Sequence, residues 1–147
     1  MPVTVTPYNN FVEDVARGRI NLISDTFKVI LVNSGYTFSG AHADLAAVTA
    51  SQLSTANGYT AGGATLANKT VSYASGVTKW DADDVTWTAS GGSIGPATGA
   101  IIYDDTSTSP TADRLVCYID FGGAQTAGNG TDMKIFFNAA GILNFTQ

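Results

Sequence analysis

Charge is what this sequence has least of. Only 13% of its 147 residues are Asp, Glu, Lys or Arg, where soluble proteins usually carry about a quarter. The seven basic residues are dispersed and the net charge is −5. That balance excludes a phosphate-gripping surface, which needs clustered Lys and Arg, so no nucleic-acid partner is expected. Cysteine occurs once, at Cys117, so neither an intramolecular disulfide nor a thiolate metal cage can form. Histidine occurs once, at His42, between two alanines. A Ser/His/Asp triad or a histidine metal site would have to use it, and no G-x-S-x-G elbow, P-loop or H-E-x-x-H motif is present. The one glutamate, Glu13, falls in a predicted helix, and a glycosidase pair made of two aspartates would need a large groove that a domain of this size can hardly build. No stretch approaches the roughly 18 apolar residues of a membrane span, and Met1–Val5 lacks the basic start and apolar run of a secretory signal. The expectation is therefore no catalytic residue, no metal, no cofactor and no membrane association.

What the sequence does have is glycine, hydroxyl residues and alternation. Asp81 to Thr106 reads as an acidic turn, a strand, a Gly/Ser/Pro connection, a second strand and another acidic turn. Val85 and Trp87 share one face while Asp84, Thr86 and Thr88 share the other, the period of a half-buried strand. Ala100 to Tyr103 is apolar on both faces, as in a strand between two layers. Phe27 to Val32 reads as another strong strand. Arg114 to Phe121 reads as a long one, with Leu115, Cys117, Ile119 and Phe121 inward and Val116, Tyr118 and Asp120 on the second face. Further strands are read at 64–73, 133–137 and 142–145. Gly122 to Gly130 reads as a loop, and the stretch from Asn33 to Thr55 as a long exit loop with room for one helical turn.

The predicted helix spans 7–18: Thr6 caps it, Pro7 opens it and Gly18 ends it. Tyr8, Phe11, Val12 and Val15 form its apolar stripe, and Glu13 and Arg17 pair on the opposite side. The fold class is all-β, an antiparallel sandwich or jelly-roll-like domain with one short N-terminal helix. The chain is one domain, 1–147, with an extended arm over 1–6 and the β-sandwich over 26–146.

Two clusters compete for a chemical role. Asp81, Asp83 and Asp84 have the spacing of calcium ligands, but an EF-hand loop starting at Asp81 would place Thr86 and Gly92 where Gly and Glu are needed. Solvated turns and edge protection are the expected role, with an irregular calcium site near Asp104 or Asp105 as the alternative. Among the aromatics, Trp87 reads as core, whereas Trp80 is the candidate ligand-stacking residue of a carbohydrate-binding surface.

The helix followed by Ser24–Leu31, the Gly58–Gly63 turn, Asp84–Trp87, Ala100–Asp105, the strand end Ile119–Gly122 and the terminal Ala140–Leu143 resemble a group of small proteins encoded by tailed bacteriophages and prophages. The chain is similar in size and style to the capsid cement (decoration) proteins of such phages. The resemblance covers nearly the whole chain, but its motifs are turns and core strands, which specify a fold and no activity. It implies a non-enzymatic virion protein, assembled in the host cytoplasm. Its partners would be the major capsid protein and itself, as a homodimer or homotrimer. A tail or neck structural protein, or a carbohydrate-binding module in host recognition, are the alternatives. Expected contact residues are Pro2, Val3, Thr4 and Val5 in the arm, Tyr36, Phe38, His42 and Leu45 in the long loop, and Pro110 in the loop after Asp105.

Overall fold

The computed structural model describes residues 4–146. Ten strands form among the described residues: β1 (Thr4–Pro7), β2 (Phe27–Val32), β3 (Ala64–Thr65), β4 (Thr70–Ala74), β5 (Val77–Asp81), β6 (Val85–Thr88), β7 (Ile94–Asp104), β8 (Arg114–Ala127), β9 (Asp132–Ile135) and β10 (Leu143–Thr146), with one helix, α1 (Asn10–Ala16). No helix among them is long and apolar enough to cross a membrane. The fold is an all-β antiparallel sandwich. A five-stranded sheet, ordered β1-β8-β7-β2-β3, faces a three-stranded sheet, β10-β5-β4, and a two-stranded one, β6-β9.

The two stretches that are apolar on both faces pair with each other at the middle of the large sheet, Ile30 opposite Ile101 and Val29 opposite Ile102. Their first face meets the small sheets. Phe27, Val29, Leu31, Ala100 and Ile102 pack there with Trp80, Val85, Trp87, Met133, Ile135 and Leu143 in the main core. Phe27 meets Trp80 edge-on at 5.1 Å between ring centres, an arrangement the aromatic quadrupoles favour. Their second face, with Ile30, Val32, Ile101 and Tyr103, forms a separate cluster with Tyr8, Val48 and Leu115. Strand β3 is too short to cover all of β2, so the Leu31 N–H donates instead to the Tyr59 hydroxyl at 3.1 Å, and its carbonyl accepts from Leu53 N–H at 2.9 Å.

Strand β8 departs from simple alternation. Ile102 lies opposite Cys117 and Tyr103 opposite Leu115, so Val116 is an extra residue, a β-bulge. The bulge turns Leu115 to the second face while Val116 and Cys117 both join the main core. Leu115 inward and Val116 outward was thus reversed by one inserted residue. Cys117 is fully buried, and burial pushes its thiol above the ordinary range. The strand also runs on to Ala127, paired with Ile94 and Ala97, through two further register shifts. These irregularities let a glycine-rich segment that reads as a loop stay in the sheet. The expected strand over 64–73 is broken after Thr65 by Asn68 in the left-handed region, φ 53°.

The N-terminus also differs from expectation. Thr4 to Pro7 is no free arm: it pairs along the edge of the large sheet, Thr6 opposite Tyr118 and Pro7 opposite Cys117. Proline is tolerated on an edge strand, so Pro7 ends a strand instead of opening a helix. The helix starts three residues later, and Asn9 makes no side-chain cap. Phe11 is buried and Val15 half-buried, but Val12 is 63% exposed. The third buried position belongs to Asp14, which is 0% exposed.

Asp14 holds the helix to β8. Its carboxylate accepts from Arg114 Nε at 2.9 Å, Arg19 Nη1 at 3.1 Å and Asn10 Nδ2 at 2.7 Å. Asn10 Nδ2 also donates to the Leu115 carbonyl at 3.1 Å. Burial acts to raise the Asp14 pKa, but the bonds from Asn10, Arg114 and Arg19 outweigh it and hold the carboxyl below its ordinary value. The Glu13–Arg17 pair forms as expected, at 2.7 Å, with both side chains about 60% exposed; such pairs contribute only about 0.3–0.5 kcal/mol. Removing one partner of a buried pair costs roughly 3–5 kcal/mol. Asp14→Ala is therefore expected to destabilise the protein by about that much and Glu13→Ala by under about 0.5 kcal/mol, both read from urea unfolding midpoints. Equal effects would contradict the assignment of Asp14 as the tether.

Candidate functional site

The segment from Asn33 to Leu53 crosses the second face of the large sheet as a strap. It contains two 3-10 turns, Leu45–Ala47 and Thr49–Ser51, where one helical turn was expected. Main-chain bonds tie it down along its length: Asn9 N–H to Gly40 O at 3.0 Å, Leu115 N–H to Ala43 O at 3.0 Å, and Leu45 N–H to Asp113 O at 2.9 Å. The Asp44 carboxylate accepts from Ala47 N–H and so starts the first turn.

The strap brings three of the expected contact residues together and adds two that the sequence reading did not place with them. Phe38 stacks on Tyr118 at 5.5 Å with an 18° interplanar angle, and lies 5.4 Å from Tyr8. Tyr36 packs on Tyr118 at 5.1 Å and on His42 at 5.8 Å. The hydroxyls of Tyr8 and Tyr36 share a hydrogen bond of 2.7 Å, and the Tyr36 hydroxyl lies 3.3 Å from His42 Nδ1. The Tyr118 ring occupies its place because position 99 is glycine: a Cβ there would stand 2.6 Å from it. Phe38 is 36% exposed, Tyr36, His42 and Tyr118 are half-buried, and Leu45 packs beneath them on the second cluster. Burial raises the pKa of Tyr8, Tyr36 and Tyr118 above that of an ordinary phenol, most of all for Tyr8. The hydroxyls therefore remain neutral donors and acceptors. The patch offers ring faces and phenol edges and no carboxylate, ammonium or guanidinium of its own, chemistry suited to contact.

Compared with family models, curated proteins and solved structures, the chain matches none.

The other expected site residues fall elsewhere. Pro2 and Val3 lie outside the described residues. Thr4 and Val5 are in β1, opposite Asp120 and Ile119, and Val5 packs against the main core, so they are sheet edge instead of a gripping arm. Pro110 is exposed in the β7–β8 loop. Trp80 is the plainest correction: it is fully buried and its indole N–H donates to the Leu22 carbonyl at 3.0 Å, so no ligand can stack on it. A tryptophan in an alternating strand beside carboxylates reads alike whether its face is covered or open, and here Phe27 and Leu22 cover it. The Asp81–Asp84 carboxylates are engaged by the protein: Asp81 by Ala82 N–H, Asp83 by Asn68, and Asp84 by Phe137 N–H and Lys134. No group of three or more metal-binding side chains gathers among the described residues.

A carboxyl pair was missed by the sequence reading. Asp104 is fully buried. Its Oδ1 accepts from Thr106 N–H at 2.8 Å and Ser107 N–H at 3.2 Å, folding the start of the β7–β8 loop. Its Oδ2 has no hydrogen-bond partner among the described residues, and the carboxyl of Asp25 acts on the group from nearby. Burial, and then the Asp25 carboxyl, push Asp104 up to about 7, against the two N–H groups. Asp25 lines a cleft of about 300 Å³ with Arg19, Asn21 and Ser107. A like charge close by disfavours ionisation of a buried carboxyl, so Asp104 holds its proton longer than an ordinary aspartate.

Because the folded-state pKa of Asp104 lies above its unfolded value, its contribution to stability is full below about pH 4 and is lost as the pH rises through about 7. Asp104→Asn keeps an acceptor for Thr106 and Ser107 and removes the group that ionises. The variant should match the parent at pH 5 and exceed it at pH 8 by on the order of 2 kcal/mol, measured by chemical unfolding at both values. Parallel pH profiles would contradict the raised pKa of Asp104.

Proposed function

We propose that this protein is a structural, non-enzymatic component of a tailed-phage virion, a decoration (cement) protein that binds the major capsid protein and a second copy of itself. The observation that carries the reading is the strapped aromatic patch of Tyr36, Phe38, His42 and Tyr118. It sits on a five-stranded sheet, so little conformational entropy is lost when it docks. It contains no ionised carboxylate or ammonium, so burying it against a shell avoids the large desolvation cost of charge. Aromatic clusters of this kind are where interface energy concentrates. The likeness to small phage virion proteins supplies the class of partner. The carbohydrate-binding alternative loses its stacking residue with the burial of Trp80.

The test is co-sedimentation with purified capsids and with purified tails of the parent phage. Capsid binding is expected, weakened by Phe38→Ala by on the order of 30-fold, with Val12→Ala on the exposed helix face leaving it unchanged. Binding to tails in place of capsids would transfer the reading to a tail or neck component. Binding to neither would overturn it.

A further inference from the structure

Strand β4 is an edge strand of the three-stranded sheet, and all five of its residues are exposed. Exposed edges are normally protected by charge, proline or a covering element. Thr70-Val71-Ser72-Tyr73-Ala74 carries neither charge nor proline.

Its main-chain geometry follows from the hairpin to β5. Ala74 lies opposite Val77 across the two-residue turn Ser75-Gly76, whose φ values of 50° and 81° are those of a type I′ turn. The pair flanking such a turn exchanges both main-chain bonds, and bonded pairs then alternate along the ladder. Thr70, Ser72 and Ala74 therefore bond to β5, while the N–H and C=O of Val71 and Tyr73 point away from the sheet. The same two residues expose apolar side chains, Val71 by 42% and Tyr73 by 67%. Both face the core side. One row across the sheet runs Val71–Trp80–Leu143 and the next Tyr73–Thr78–Phe145. Leu22 and Phe27 seal Trp80, and Phe11 stacks on Phe145 at 6.0 Å, so Val71 and Tyr73 are the open ends of both rows.

We propose that β4 pairs antiparallel with β4 of a second copy, about a two-fold axis at Ser72, making one continuous sheet of three strands from each copy. This register sets Val71 opposite Tyr73 of the second copy, and Tyr73 opposite its Val71. Every outward N–H and C=O of the two residues then finds a partner, and each pair joins a β-branched to an aromatic side chain, a favourable cross-strand combination. Ser72 meets Ser72, and Thr70 meets Ala74. The charges permit it. The nearest like charges in the central row, Lys79 of each copy, lie three strand spacings apart, about 14 Å, beyond the screening length of about 8 Å at physiological salt. Asp81 lies in the outer row, opposite Thr70 on its own copy. A second copy fits because the strand is its own complement under this symmetry. The pairing does not rest on the virion reading, since it is measured with no capsid present.

The test is the solution mass of the full chain by light scattering, with a dimer of the 15.2 kDa protein expected. Val71→Lys and Tyr73→Lys alter exposed positions, so each should keep the parent's fold by circular dichroism and weaken dimerisation by on the order of 30-fold or more. Ser72→Cys provides an independent readout. Opposed residues of a non-bonded pair have Cα atoms about 4.5 Å apart, within disulfide range, so mild oxidation should cross-link this variant, whereas Val71→Cys and Tyr73→Cys should not cross-link. Cys117 is fully buried and stays out of that reaction. A monomeric parent, a dimer indifferent to both lysines, or cross-linking at 71 or 73 in preference to 72 would each overturn the proposal.

Discussion

The structure depends on one constraint: β2 and β7 are apolar on both faces, so the large sheet needs cover on both sides. The two small sheets supply it on the first face. On the second face Ile30, Val32, Ile101, Tyr103 and Leu115 are each no more than 2% exposed, and burial of such a side chain is worth about 1.5–3 kcal/mol. Among the described residues no sheet lies over them. The strap, with Val48 at its centre, and Tyr8 do the covering, which is why a segment with little regular structure is bonded at so many points. The Val116 bulge belongs to the same solution, because it delivers Leu115 to the second cluster while Val116 and Cys117 stay in the first.

The end of the sheet shows how scarce charge is allocated. Asp104 and Arg114 are direct cross-strand neighbours, yet the guanidinium turns to Asp14 and to the Thr111 hydroxyl. Asp14, held by two arginines and Asn10, has its pKa lowered. Asp104, left with Asp25 and two N–H groups, has its pKa raised to about 7. Two buried carboxyls at one end of the molecule are thus pushed in opposite directions by the same arginine's choice of partner. The first ties helix to sheet across 100 positions of sequence, and the second folds the β7–β8 loop.

Much of the fold was legible where period and burial coincide. Val85 and Trp87 inward with Thr86 and Thr88 outward, the doubly buried Ala100–Tyr103 and the strand at Phe27–Val32 all follow from side-chain alternation. What was not legible turns on what lies opposite. Nothing local distinguishes Pro7 in an edge strand from Pro7 at a helix start; the pairing with Cys117 decides it. The bulge at Val116 is a property of two strands together. Trp80 was read as open because its cover, Leu22 and Phe27, comes from elsewhere in the chain. Asp14 left a signal that was available, since it sits between Phe11 and Val15 on the helix face that packs inward. The aromatic patch was half legible: Tyr36, Phe38 and His42 stood out in the loop, but only the fold brings Tyr8 and Tyr118 to them.

The aromatic patch stands on the second face of the large sheet and the open β4 edge belongs to the opposite layer, so a contact made at one leaves the other free. The aromatic patch presupposes that the strap is as much part of the fold as the strands beneath it. Native-state hydrogen exchange tests this directly, because amides that open only with the whole molecule share the global unfolding free energy. The amides of Leu45, Leu53 and Leu115, whose bonds join the strap to β2, β8 and the residue leading into β8, should exchange as slowly as those of Ile30 and Ile101 at the sheet centre. Rapid exchange at Leu45, Leu53 and Leu115 while Ile30 and Ile101 stay protected would show the strap to be a detachable loop and contradict the account.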